Sequence, residues 1–150
     1  MPYFTLQLTA QGPMMLAYVG VSAARGAATL ASVGQAVPQP IQIRALVDTG
    51  ASGTCVDPTV LQSLSLTPTG SVQVNTPSTG ATPHSADQYD VSIAIPGALP
   101  THSPLIIENI PVVCADLLTA QGLHALVGRD ILSLCLLCYD GLQGSFTLAY

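Results

Sequence analysis

Apolar and polar residues alternate with period two along much of this chain, and that alternation predicts strands. YFTLQLTA at 3–10, the residues around QVNT near 73 and DVSIAI at 90–95 all carry it. MLAYVGV at 15–21 and IQIRALV at 41–47 are apolar runs of strand length. Turn formers punctuate these segments: QGP at 11–13, PTG at 68–70, PG at 96–97 and DGLQG at 140–144. The last of them predicts a closing hairpin, CLLCYDGLQGSFTLAY, with glycines at its tip. Three segments break the pattern. Residues 22–40 are small residues with Gly and Pro, and predict a long mobile loop between two strands rather than a helical turn. DPTVLQSLSL at 57–66 fits a short helix, or a strand followed by one turn. HALVGRDILSL at 124–134 holds a helix start, with Ile131, Leu134 and Cys135 at helical spacing. The expectation is one all-β domain over 1–150, with one short helix after Gly128-Arg129-Asp130 and a loop insertion at 22–40.

Composition narrows the partners. Only 7% of the 150 residues are charged, far below the quarter usual in soluble domains. Such a surface is either rich in uncharged polar groups or covered in an assembly. Lysine is absent, Arg25, Arg44 and Arg129 are scattered, and the net charge is −5. Without a basic stripe the chain is not expected to bind nucleic acid. The most apolar run, ILSLCLLCY at 131–139, is about half the length of a bilayer-spanning helix. MPYFTLQLTAQG has neither the basic nor the apolar region of a signal peptide. No membrane partner and a cytoplasmic location are therefore expected. Cys55, Cys114, Cys135 and Cys138 read as small packed apolar residues rather than a disulfide framework. Cys135 and Cys138 lack a second ligand pair, and on a strand they point to opposite faces, so no metal or redox site is expected. No cofactor is implied.

The chemistry concentrates at ALVDTGAS, residues 45–52. A carboxylate behind an apolar strand is costly unless it is hydrogen-bonded or used. Asp48 ends the run, Thr49 offers a hydroxyl to fix the turn, and Gly50 leaves room for another chain to approach. Downstream, ALVGRDIL at 125–132 pairs an apolar doublet, Leu126 and Val127, with Gly, Arg and Asp ahead of a helix. With these two motifs in this order, and QYDVSIAI at 88–95 between them, the chain resembles the retropepsin-like aspartic proteases over most of residues 41–150.

That resemblance implies a closed β-barrel or sandwich and an endopeptidase acting on peptides or proteins. It implies that Asp48 is catalytic, that Thr49 interlocks two such loops and that Gly50 contacts substrate. Leu46, Leu126, Ala51 and Ser52 would line the substrate pocket, with His124 near its rim or simply on the solvated surface. A flap hairpin is implied in VNTPSTGATPHSADQ at 74–88, tipped by Ser78, Thr79 and Gly80. Gly128, Arg129 and Asp130 would be structural, with Gly128 close to the catalytic strands and Arg129 buried against an acid. In retroviral relatives that acid often stands where this chain has Ser52, which leaves Asp57, Asp130 or a partner-chain residue for Arg129.

The mechanism of such proteases needs two carboxylates that share a proton, an arrangement for which aspartic proteases are the standing example. One Asp-Thr-Gly is present, and the Asp-Gly at 140–141 has no apolar doublet joined to a Thr or Ser turn. A two-fold homodimer with paired Asp48 residues follows as the expectation. The competing expectation, from a different functional class, is a catalytically silent dimer of the same fold that binds peptides or serves assembly.

Overall fold

The computed structural model describes residues 1–24, 26–75 and 82–150, and among these it has ten strands, three short α-helices and a 3-10 turn at Thr119–Gln121. In order they are β1 (Tyr3–Gln7), β2 (Met14–Val21), α1 (Gly26–Ser32), β3 (Ile41–Val47), β4 (Cys55–Val56) and α2 (Pro58–Ser63). Then come β5 (Gly70–Val74), β6 (His84–Ile95), β7 (Leu105–Cys114), β8 (Ala125–Val127), α3 (Arg129–Leu132), β9 (Leu136–Asp140) and β10 (Ser145–Ala149). The expected all-β character is what the chain adopts.

Six strands close on themselves. Hydrogen bonding runs β2-β3-β8-β4-β7-β6, and β6 returns to β2 through Tyr18↔Ala94 to Val21↔Val91. Closure leaves no free edge within that ring. Side chains that alternate inward fill it: Ala17 and Val19 from β2, Ile43, Ala45 and Val47 from β3, Val91, Ile93 and Ile95 from β6, and Ile110 and Val112 from β7. β5 extends from the same side of β6 that β2 uses further along, so residues 71–74 and 84–87 form an arm that pairs only with itself, while Gln88 also pairs with Val113 of β7. A second sheet, β1-β10-β9, lies outside the ring. It packs Phe4, Phe146 and Leu148 into the core, with the two phenyl rings edge to face at 6.2 Å. The closing hairpin forms as expected, in register from Ser145↔Asp140.

The segment expected to be a loop holds α1. Its Ala27-Ala28 and Ala31 are strong helix formers, and Leu30 is buried in the core. Gly34, at φ +73°, ends it with a left-handed turn in which Gln35 N bonds Leu30 O. At 57–66 the helical alternative holds: Asp57 caps α2 by accepting from Thr59 N, and Pro58 takes the first turn, where its missing N–H costs nothing. α3 begins after Gly128 as the motif implied but spans four residues, because 125–127 are already committed to β8. β7 had no counterpart among the expected strands. A register shift facing Val91 and Ile93 leaves Ile107 opposite Ile93 and Ile110 opposite Val91, so Glu108 and Asn109 interrupt the period-two pattern. Asn109 is used there, accepting from the fully buried Ser22 hydroxyl at 2.6 Å.

Candidate active site

The two motifs meet because β3 and β8 are parallel neighbours in register: Ala45↔Ala125, Leu46↔Leu126 and Val47↔Val127. Ala45, Val47, Ala125 and Val127 point into the core. Leu46 and Leu126 therefore share the opposite face and are half-buried. β4 adds Cys55 beside Leu126, giving an apolar row of three on that face. His124 lies two residues before Leu126, hence on the same face. Its Nδ1 accepts from Arg44 N at 3.4 Å and its carbonyl accepts from Asp57 N.

Asp48 follows directly, its N–H donating to Val127 O at 2.9 Å so that the turn starts where the parallel pairing stops. Its Oδ1 accepts from Gly50 N at 2.8 Å and Ala51 N at 3.3 Å. Its Oδ2 accepts no hydrogen bond among the described residues. The half-buried carboxylate is thus held by one oxygen and offers the other. Thr49, Gly50 and Ser52 are exposed around it, and Ala51 is half-buried.

The loop is braced from behind by the second motif. Arg129 N donates to Ala51 O at 3.0 Å. Gly128 lies against Gly53 so closely that a Cβ there would come within 2.6 Å of the Gly53 carbonyl carbon and oxygen. Asp130 receives Thr54 N on Oδ2 and Thr54 Oγ1 on Oδ1, both at 2.8 Å, and Thr54 Oγ1 accepts from Gly128 N at 3.2 Å. Thr54 is 1% exposed, so this bonding satisfies a hydroxyl that would otherwise be orphaned. Sequence reasoning passed over Thr54. The only signal was a lone hydroxyl residue between Gly53 and an apolar strand.

Arg129 corrects an expectation. It is exposed, and among the described residues it pairs with no acid. Its Nη1 donates to Thr49 O at 2.9 Å and Gly50 O at 3.2 Å, so the guanidinium gathers the carbonyls that the tight turn points outward. The two acids of its own chain offered as partners are engaged elsewhere, Asp130 with Thr54 and Asp57 with α2 and Leu117 N, which leaves a partner-chain residue of the three alternatives. Ser78, Thr79 and Gly80 lie outside the described residues. The β5–β6 arm presents Val72, Val74 and Ala86 on one face, half-buried, and exposed Ser71, Gln73, Ser85 and Asp87 on the other.

Burial, then the charges of Asp130 and Asp48, push the Cys55 thiol up, so it stands as a neutral apolar wall. The cysteines form no disulfide. Cys55, Cys114 and Cys135 are half-buried while Cys138 is exposed, against the expectation that all four are packed. Among the described residues, no group of three His, Cys, Asp or Glu could hold a metal ion, and no helix is long and apolar enough to cross a membrane.

A family model described as aspartyl protease matches residues 29–131, from within α1 through the Gly-Arg-Asp motif. The chain belongs to the aspartyl protease family. Its fold is similar to the crystal structure of a retropepsin-like aspartic protease from Rickettsia conorii, with a TM-score of 0.57 and 17% identity over 99% of this chain and 90% of that one. At that identity the likeness speaks to fold, and the fold is retropepsin-like. No curated protein sequence matches. Within the family model's span lie both Asp48 and the β8–α3 brace.

Proposed function

We propose that the protein is an aspartic endopeptidase in which two copies of the chain each contribute Asp48. The observation that carries the proposal is the state of that carboxylate: Oδ1 fixed by Gly50 N and Ala51 N, Oδ2 unengaged, at the end of β3 on a loop braced through Gly128 and Asp130. Rigid anchoring of one oxygen sets the direction of the other, which is what proton transfer at a fixed point requires.

In the two-fold arrangement the paired carboxylates share one proton, because two adjacent charges cannot both be held. The ionised member takes a proton from a water as that water attacks the scissile carbonyl carbon. The protonated member gives its proton to the carbonyl oxygen, forming a tetrahedral diol. Collapse of the diol breaks the C–N bond: the carboxyl that accepted the water proton gives it to the leaving nitrogen, and the other carboxylate takes a proton from a diol hydroxyl, which restores the shared-proton pair. Thr49, exposed beside Asp48, interlocks the two loops, and Arg129 keeps the Thr49 and Gly50 carbonyls in place for that contact. Leu46, Leu126 and Cys55 wall a pocket for apolar side chains, Ala51 and Ser52 meet the substrate backbone, and the β5–β6 arm covers it as a flap.

The test is cleavage of a mixed peptide library across about pH 4 to 7 by the wild type and Asp48→Asn. The variant is expected to remain dimeric and to lose at least about 10²–10⁴-fold in rate. Peptide binding without cleavage by both proteins would replace the protease with a silent binding module.

A further inference from the structure

The apolar row beside Asp48 has a second rung. β2 pairs with β3 through Met14↔Leu46 and Leu16↔Arg44, and His124 N donates to Arg44 O at 3.0 Å. The outward face therefore steps from Met14, Leu46 and Leu126 to Leu16, Arg44 and His124. Arg44 stands four residues before Asp48, about 13 Å along the strand. Its guanidinium has a defined seat. Gly122, at φ +77°, closes the 3-10 turn, and a Cβ on it would lie 2.9 Å from Arg44 Nη1. Gln11 Nε2 donates to Gln121 O at 3.2 Å and ties this turn to the one ahead of β2. In that second turn Gly12 lies over Leu46, where a Cβ would be 3.3 Å from Leu46 Cδ1. The same two loops thus border the apolar row and the cation. Among the described residues Arg44 forms no ion pair and its guanidinium donates no hydrogen bond. Asp57, whose N–H donates to His124 O, is buried and gives its oxygens to Thr59 and Leu117 N. His124 Nδ1 accepts from Arg44 N at 3.4 Å, which leaves the proton of the neutral ring on Nε2 as a donor.

We infer that Arg44, with His124 as a second donor, selects a carboxylate side chain on the substrate about three or four residues from the scissile bond. This rests on the proposed reading, since it assigns a preference to the same cleft. An extended peptide advances about 3.3 Å per residue, so three or four residues span the distance from Asp48 to Arg44. A carboxylate is the group that fits there. It accepts from both side chains, and a guanidinium takes it through two parallel N–H bonds. A substrate lysine or arginine would meet like charge at that point. Position makes the charge count, because the chain has three arginines, no lysine and a net charge of −5. A cation at the end of the apolar row is a local exception to a field that repels acidic peptides. The preferred substrate is therefore an apolar segment with an acid at its end.

The experiment uses peptides with an apolar centre and a single Glu, Gln or Lys moved through the positions on either side of the cleaved bond, compared by kcat/KM. Glu is expected to exceed Gln about three- to ten-fold at the third or fourth position, and the excess shrinks as salt rises from about 0.05 to 0.5 M. In Arg44→Gln the Glu-to-Gln ratio falls to about one, and in Arg44→Lys part of it returns. In Arg44→Glu the preference passes to the Lys peptide, an inversion that a merely structural role would not produce. Thermal melting establishes that each variant is folded. A folded Arg44→Gln that keeps the wild-type ratio overturns the assignment, and so does a wild type indifferent to Glu at every position. If the wild type cleaves none of the peptides, the protease reading fails. Fluorescence anisotropy of the same labelled peptides then decides the acid site on its own: tighter binding of the Glu peptide that is lost in Arg44→Gln upholds it, and equal binding of Glu and Gln peptides overturns it.

Discussion

At the scale of single residues, the polar groups that matter most are those with their bonding complete. Asp57 is 3% exposed and accepts from Thr59 N, Thr59 Oγ1 and Leu117 N. Burial works against its charge, but these bonds, with His124 nearby, outweigh burial and hold its carboxyl below the ordinary value of 3.8. Asp57→Ala removes a helix cap and orphans the Leu117 amide, at a cost of about 2–4 kcal/mol at neutral pH. The pH dependence follows from the sign of the shift. A depressed folded-state pKa contributes stability that is complete above the unfolded value and lost as pH falls through the folded one. The difference in urea midpoint between wild type and Asp57→Ala is therefore expected to narrow below about pH 4. A difference that widens on acidification would contradict the assignment. Asp48 differs in its bonding: one oxygen accepts two amide hydrogen bonds and the other none among the described residues, the state that the proposed reading requires.

At the scale of elements, the site is a junction between parallel β3 and β8 whose ends are locked by contact between Gly53 and Gly128. Adding one methyl tests that lock. In Gly128→Ala the new Cβ would sit 2.6 Å from Gly53 backbone atoms, so the Asp48 loop must shift. Stability is expected to fall by about 1–3 kcal/mol and cleavage to fall with it, measured by thermal melting and peptide turnover. The ends of this junction were legible as residues, since ALVDTGAS and ALVGRDIL each announce an apolar strand running into a turn. Their adjacency was not legible from pattern, because parallel pairing joins segments about eighty positions apart and leaves no local period. β7 was hidden by its bulge at Glu108 and Asn109, and α1 by a run of small residues that reads equally as loop. The role of Arg129 escaped for another reason. Its partners are backbone carbonyls, and a carbonyl has no letter in a sequence.

At the scale of the whole molecule, a closed barrel that carries one Asp-Thr-Gly loop cannot by itself supply the two aspartates of the proposed mechanism. If catalysis needs both copies of Asp48, activity is a property of pairs of chains and mixing reveals it. Wild type equilibrated with an equal amount of Asp48→Asn redistributes into wild-type, mixed and variant dimers, in a ratio of about 1:2:1 when the isosteric substitution leaves pairing unbiased. A mixed dimer has one carboxylate and one amide, so it lacks either the base or the acid. Only the wild-type pairs cleave, and they hold half of the wild-type chains. Total activity at fixed wild-type amount is therefore expected to drop to about half, and to keep dropping with the wild-type fraction as more variant is added. A site complete within one chain would be indifferent to the addition. Omitting the exchange step, by assaying before the subunits redistribute, should restore the full rate. The loss then belongs to assembly rather than to competition for substrate.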